Sequence, residues 1–426
     1  MPATVLEGGR TGAVPPETRS TNSEEGDLPV TFKTLDALDA KGKRVLVRVD
    51  FNVPMQDGEV TDATRIERAA KTLTELADAG AKVIALSHFG RPKGRVESSM
   101  SLAPVAKALG QTLGREIAFA ADCVGPEAAA VVDALPAGGI ALLENLRFHS
   151  GEEKNDPAFA KGLADLGDIY VNDAFSCSHR AHASVTGIPE HLPAYAGRLM
   201  QAELEALQAA LGGGERPAAA LIGGAKISSK LMVLGELLGK VDKLIIGGAM
   251  ANTFLAARGI GIGKSLSEPD LLDAAREIMA KAERQGVEIV LPVDGVVAEK
   301  LEPHADCRTA KIEEVGETEM ILDVGPASVI DIKDKLENVK VLLWNGPMGA
   351  FEVPPFDSGT TDVAKAAAVL TQQGKLKTVA GGGDTVSALA HAGVLEKFSY
   401  VSTAGGAFLE WLEGKTLPGV AALETS

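Results

Sequence analysis

The sequence predicts an α/β protein with largely parallel sheets, divided between two domains. Three observations carry that prediction. Short apolar runs alternate with helix-like segments from Lys43 to the end of the chain, and such strands separated by helices mark βαβ units whose sheets are covered on both faces. The length, 426 residues, exceeds what one hydrophobic core organises. The residues that follow the strands also change character halfway along, from arginine and histidine to glycine.

Residues 1–30 mix Gly, Pro, Thr, Ser and Glu and match no targeting pattern, so they read as a flexible N-terminal extension. The first strand is expected at 45–49, then a helix over 65–79, a strand at 83–86 and a helix over 102–109. Further strands are expected at 140–143, 169–171, 219–222, 244–246, 289–291, 320–322, 341–344, 378–380 and 400–402. Residues 197–211 have helical spacing with Leu199, Leu204, Leu207 and Leu211 on one face, and glycines at 212–214 end the run. Placing the boundary and hinge at 199–214 gives a first domain of 31–198 and a second of 215–426, the extreme C-terminus being free to pack back on the first.

Composition excludes several classes. With 42 basic and 58 acidic residues the formal charge is −16, and aromatics are 4%, so neither the charge nor the stacking groups of a nucleic-acid binder are present. Any anionic substrate must be caught by a local cluster of cations. No apolar run approaches the length of about 18 residues that a membrane span needs. Cys123, Cys177 and Cys307 are far apart, odd in number and contain no C-x-x-C, which argues against a disulfide framework or a thiolate metal site and fits a reducing, cytosolic setting.

In parallel sheets ligands bind beyond the carboxyl ends of the strands. There the first half offers Asp50-Phe51-Asn52, His88-Phe89-Gly90-Arg91, Arg147 and His179-Arg180, with Arg48 and Arg65 alongside. The second half offers Gly223-Gly224 before Lys226, Gly247-Gly248, Asn345-Gly346, Gly381 to Asp384, and 403–406. Arginine forks suit carboxylate and phosphate oxygens, whereas glycine turns admit nucleotide phosphates. A small anion is therefore expected in one half and a nucleotide in the other. One arginine at a strand end is ordinarily solvated or paired, but four such ends in one half favour substrate binding. His179 and His182 beside Cys177 lack a carboxylate partner on a helix and read as loop donors to an anion rather than metal ligands. Lys226 and Lys230, four apart at the start of a helical segment, would lie together near a helix N-terminus, a site that repels cations unless a phosphate is bound. Asp384 suits a hard cation such as Mg²⁺. The run 259–265 resembles a Walker loop but has Arg258 where the pattern requires Gly and follows a helix, so it is rejected, as is a Rossmann dinucleotide fingerprint.

Taken together, RVDFNVP at 48–54, SHFGRPKG at 87–94, LENLRF at 143–148, SHRAHAS at 178–184, GGAKISSK at 223–230, WNGPMGAFE at 344–352 and GGGDT at 381–385 closely resemble the phosphoglycerate kinase family. The resemblance runs from about Phe32 to the end. It implies two doubly wound, Rossmann-like parallel-sheet domains facing a hinged cleft, 3-phosphoglycerate in the first and Mg-ATP or Mg-ADP in the second. By position it implies that Asp50, Phe51, Asn52, Arg65, His88, Phe89, Gly90, Arg91, Arg147 and Arg180 bind the triose, with His182 close by. Arg65, Lys226 and Lys230 would act on the transferring phosphoryl group. Lys226, Lys230, Asn345, Glu352, Gly382, Gly383, Asp384 and Thr385 would hold the nucleotide, Lys230 at its phosphates, Glu352 at the ribose and Asp384 at the Mg²⁺, with Gly247 and Gly248 bordering it. Two stretches depart from the family pattern: Ala404 interrupts a glycine run, and Ser176 and its neighbours replace a Gly-Thr-Ala element. The competing classes are another ATP-dependent carboxylate kinase, an NAD-linked enzyme and a non-catalytic nucleotide binder; the last predicts loss of a cationic set that is present here. A cytoplasmic monomer is expected, with no nucleic-acid or membrane partner.

Overall fold

A computed structural model describes residues 32–212 and 215–424; the expectations for residues 1–30 and for Gly213 and Gly214 lie outside the described residues. In the first half six parallel strands form one sheet in the order Ile117–Ala120, Ile140–Leu143, Lys82–Leu86, Arg44–Arg48, Ile169–Asn172, Ala194–Ala196. Alternate side chains feed different faces. Val45, Val47, Val83 and Ala85 pack with Ile66 and Leu73 of the helix Thr64–Asp78, while Leu46, Ile84 and Leu86 pack with Ala128, Val132 and Leu163.

The second half repeats the plan with Glu288–Val290, Lys243–Ile246, Ala218–Ile222, Val341–Asn345, Lys377–Gly381 and Tyr400–Ser402, again all parallel. Chain order reverses between Ala218–Ile222 and Val341–Asn345, which opens a crevice at their carboxyl ends, the usual ligand position in a doubly wound sheet. In the first sheet the reversal falls between Arg44–Arg48 and Ile169–Asn172.

The structure corrects several expectations. Residues 320–322 are not in a parallel sheet: Met320–Val324 joins Asp294–Ala298 and Cys307–Lys311 in a three-stranded antiparallel sheet. An apolar run does not encode the direction of its partner, and Cys307–Lys311 is mostly exposed and polar, so it gives no apolar signal. Ile117–Ala120 and Ala194–Ala196 were not anticipated; both are short and rich in alanine, a weak strand former.

The helix expected between the halves spans Arg198–Leu211, with Gly212 as its C-cap. It buries Met200, Leu204, Leu207, Ala210 and Leu211, so Met200 takes the position expected of Leu199. Its phase is set by Asp173, whose Oδ1 accepts from the N–H groups of Leu199 at 2.8 Å and Met200 at 3.1 Å. Asp173 follows the strand Ile169–Asn172, so the first sheet caps this helix. One turn further on, buried Glu203 accepts from Ser402 Oγ at 3.1 Å, on the edge strand of the second sheet. A single helix is thus held by both sheets. The C-terminus also crosses back: Gly419 N–H donates to Ser178 O at 2.8 Å, and a Cβ at Gly419 would sit 2.6 Å from Val185 Cγ1, so only glycine allows that approach.

Burial pushes the Glu203 carboxyl up from about 4.5 to about 7, and its Oε2 and the Tyr400 hydroxyl both lack a well-formed hydrogen bond. A raised carboxyl pKa means that the folded state holds a proton that the unfolded chain releases, so this group stabilises most at low pH and its contribution fades as pH rises through 7. Between pH 4.5 and 7.5 the wild type should lose on the order of 3 kcal/mol that Glu203→Gln does not lose. Urea unfolding across that range checks it; parallel profiles for the two proteins would contradict it.

Candidate functional site: two cavities at the strand ends

Because the strands of the first sheet are parallel, their carboxyl ends bring Asp50 and Asn52, His88, Gly90 and Arg91, Arg147, and Ser176, Cys177, His179 and Arg180 to one edge. They line a cavity of about 340 Å³ with Arg65 from the following helix. The opposite wall is Thr403, Ala404, Gly405 and Gly406, which follow the edge strand of the second sheet and open the helix Gly405–Leu412. Both halves therefore build this cavity, and beside it Arg68 NH1 donates to Thr403 Oγ1 at 3.1 Å, bridging the halves.

Arg48, the last residue of its strand, points inward and is 1% exposed. Its Nε donates to Ser184 Oγ at 2.9 Å and one terminal nitrogen lies 3.1 Å from His88 Nδ1. Ser184 in turn donates through N–H at 2.9 Å and Oγ at 2.6 Å to Glu152, which is fully buried. Since guanidinium can only donate, His88 Nδ1 is the acceptor and Nε2 carries the proton. Burial and the Arg48 charge both push the His88 pKa well below its ordinary value, so the ring is a neutral donor.

Asp50 takes a hydrogen bond from Ser176 Oγ at 2.6 Å and an ion pair from Arg65 NH1 at 2.8 Å. Burial works against its charge, yet these cationic and hydroxyl partners hold its carboxyl below the ordinary range. Arg65 also reaches Asn52 O at 3.2 Å through the same nitrogen, leaving the rest of the guanidinium for a ligand. Arg147 NH1 donates to Gly90 O at 2.7 Å, while its buried Nε lies 3.3 Å from Glu153 Oε1 without hydrogen-bond geometry. Desolvation lowers the Arg147 pKa, and the neighbouring Arg180 and Arg48 charges add to the effect. An incoming anion relieves that repulsion.

The second cavity, about 350 Å³, lies at the switch point and is lined by Gly223, Gly224, Lys226, Lys230, Asn345, Gly346 and Gly382 to Thr385. Glycine is required at 223, where a Cβ would fall 1.9 Å from Pro347 O. Thr385 Oγ1 accepts from Gly346 N–H at 2.7 Å and Asn345 Nδ2 donates to Gly381 O at 2.7 Å, locking the two strand ends together. Lys230 donates to Asn345 Oδ1, and desolvation lowers its pKa to about 8. Asp384 is exposed in the first turn of the helix Gly383–His391 and has no hydrogen bond or ion pair to a described residue.

Some expected site residues are placed elsewhere. Phe51 is wholly buried and Phe89 packs against the same core, so neither side chain lines the cavity; Phe51 contributes only an N–H bonded to Ser87 Oγ at 2.9 Å. Lys226 and Lys230 do not share a helix face: Ile227–Ser229 is a 3₁₀ turn between them and the α-helix Leu231–Leu237 starts afterwards. Glu352 is exposed and lines neither cavity. Gly247 and Gly248 pack against Met348 and Gly224 rather than facing the space. His182 lies 3.7 Å from Glu152 and does not line the first cavity, whereas His179 does.

Sequence reasoning missed the roles of Arg48, Glu152 and Ser184, although Arg48 was visible as a charge inside an apolar strand, the one available signal. It also put Thr403 to Gly406 on the nucleotide side, where the chain's halves suggested it belonged.

An arginine-lined cavity sharing a wall with the domain that carries a glycine-lined, lysine-bearing one defines a two-domain α/β phosphotransferase. The model of the family "Phosphoglycerate kinase" matches residues 35–415. The chain is 61% identical over 393 residues to a phosphoglycerate kinase of Azorhizobium caulinodans, covering 92% of this chain and 99% of that one. It is 60% identical over 394 residues to one of Chelativorans sp., covering 92% and 99%. The solved phosphoglycerate kinase of Coxiella burnetii superposes with a TM-score of 0.87 at 42% identity, covering 92% of this chain and 99% of that one. The structure from Pyrococcus horikoshii gives 0.75 at 29% identity, with 92% and 98% covered. The chain belongs to the phosphoglycerate kinase family, and its activity is that kinase activity, a phosphoryl transfer of glycolysis.

Removing Glu152 would leave Arg48 buried without its counter-charge. Glu152→Ala should cost roughly 3–5 kcal/mol in urea unfolding at pH 7; a cost below about 1 kcal/mol would show that Arg48 is neutralised by other means.

Proposed function

We propose that the two cavities divide one reaction between them: the γ-phosphoryl group of ATP passes reversibly to the carboxylate of 3-phosphoglycerate, giving 1,3-bisphosphoglycerate and ADP. The observation that carries this reading is the shared wall. Thr403 to Gly406 belong to the half that would hold the nucleotide, yet they line the arginine cavity.

The attacking carboxylate is ionised at neutral pH, so no general base is needed. Its developing acyl phosphate and the loose, metaphosphate-like group in transit need charge compensation and in-line positioning. Arg147, Arg91, Arg180 and the Nε2–H of His88 bind and orient the triose, with Asp50 and Asn52 fixing Arg65 and the Gly90 turn. Arg65, from one side, and exposed Lys226, from the other, are free to meet the phosphoryl group. Lys230 holds the nucleotide phosphates; the low-dielectric setting that depresses its pKa also strengthens its attraction to them. Gly382, Gly383 and Thr385 supply a tight turn and backbone N–H groups at a helix start.

A metal fits the donor set: Asp384 presents an unengaged carboxylate, a hard oxygen ligand suited to Mg²⁺. Bound there with phosphate oxygens, Mg²⁺ would neutralise charge on the nucleotide. The division at 199–214 makes the helix Arg198–Leu211 the hinge, and closure about it would exclude water that hydrolyses acyl phosphates. Phe51, Phe89 and Glu352 are not assigned ligand contacts through their side chains. The three free cysteines fit a reducing, cytoplasmic location, and no described helix is long and apolar enough to cross a membrane. We take the enzyme to act as a monomer.

Lys226→Ala should lower kcat far more than it raises either KM, because its contact grows as the phosphoryl group moves. Arg147→Ala should instead raise the KM for 3-phosphoglycerate by about tenfold to a hundredfold, the loss of one charge-assisted contact. Steady-state kinetics of both variants decide the division; a change confined to nucleotide KM in Arg147→Ala would reverse it.

A further inference from the structure

The first sheet carries a second set of strand-end groups that the kinase reaction does not use. Asp122 and Cys123 follow the edge strand Ile117–Ala120, and His149 follows its neighbour Ile140–Leu143. One ligand atom from each, a carboxylate oxygen, the Cys123 Sγ and a His149 ring nitrogen, lie within 4.8 Å of one another. None of the three lines the arginine cavity. We propose that Asp122, Cys123 and His149 form a binding site for a borderline divalent transition metal, Zn²⁺ in the first instance, with a fourth position open to solvent.

The donor chemistry carries the argument. Thiolate, imidazole and carboxylate together are a Zn²⁺ set, with metal–ligand distances near 2.0–2.3 Å. Tetrahedral ligands at those distances stand roughly 3.3–3.8 Å apart. His149 Nε2 is now 2.7 Å from Asp122 Oδ1, so that hydrogen bond must open by roughly 0.6–0.8 Å for the ion to enter, within what a side-chain torsion provides. The ring is already oriented by stacking on Phe159, with centroids 5.1 Å apart. His149 and Asp122 keep side-chain exposures of 33% and 39%, which leaves a path from solvent, whereas Cys123 is fully buried beneath them. The strongest charges acting on that thiol are acidic: Asp122, Glu152 and Glu144. A cation is therefore welcome here.

The contrast with the other candidate cluster sharpens the choice. Asp50, His88 and Cys177 also bring ligand atoms within 4.8 Å, but Arg48 stands 3.1 Å from His88 Nδ1 and 3.7 Å from Cys177 Sγ and already occupies the place of a cation. On binding at the new site the Cys123 S–H bond breaks as the metal–sulfur bond forms, and the proton leaves to buffer. The ion would tie the end of one strand to the turn that carries Arg147, two residues before His149.

Co²⁺ is the spectroscopic probe. Titrating it into the reduced full-length protein should raise a near-ultraviolet thiolate-to-cobalt band that saturates at one ion per chain. The band should persist in Cys177→Ser and vanish in Cys123→Ser. An equal band in Cys123→Ser, or none in the wild type at saturating Co²⁺, would overturn the site. Should Cys123→Ser fail to fold, Asp122→Asn and His149→Gln test it at the exposed ligands. Each should weaken Zn²⁺ binding in equilibrium dialysis at least about tenfold, and unweakened binding would refute the assignment.

Discussion

The positive charge gathered at the end of the first sheet is the constraint on which the rest depends. Arg65, Arg91, Arg147 and Arg180 face one space, and Arg48 lies buried directly behind it. Without counter-charges such a group would repel itself apart. Two acids answer this: half-buried Asp50 at the cavity wall pairs with Arg65, and fully buried Glu152 reaches Arg48 through Ser184. Neither consumes the cavity's donors. Asp50 engages a single nitrogen of Arg65, and Arg48 spends its donors on Ser184, Val49 O and His88. The site is thereby preorganised for an anion, at the cost of burying ions that only good hydrogen bonding makes tolerable.

The second half solves a different problem by a different means. There the backbone must approach itself closely at the switch point, and glycine at 223 and 346 permits contacts that any Cβ would block. Asn345 and Thr385 then tie the strand ends together through hydrogen bonds to Gly381 and Gly346. Between the halves the helix Arg198–Leu211 is capped by Asp173 from one sheet and joined through Glu203 to Ser402 of the other.

Much of this was legible in the sequence, and the limits are physical. Parallel strands were found wherever an apolar run was bounded by helices, and the strand-end arginines, His88, the lysines and Asp384 followed from the rule that ligands sit beyond the carboxyl ends. Strand direction was not legible, since Met320–Val324 reads like its parallel counterparts; nor was a polar partner such as Cys307–Lys311. Phe51 and Phe89 travel inside functional motifs yet serve the core, from the loops that follow the strands Arg44–Arg48 and Lys82–Leu86. The Glu152–Ser184–Arg48 chain joins residues over a hundred positions apart, and only the fold brings them together. Ser176, a departure from the family pattern, is accounted for by its bond to Asp50; Ala404 is buried in the shared wall, and nothing in the structure explains why it replaces glycine.

The most direct measurement mixes the purified protein with Mg-ATP, 3-phosphoglycerate and hydroxylamine, which traps an acyl phosphate as a hydroxamate, and follows ADP alongside. A phosphoryl transfer shared between the two cavities predicts hydroxamate and ADP in equal amounts, each dependent on both substrates. ADP without hydroxamate, or hydroxamate independent of 3-phosphoglycerate, would contradict it.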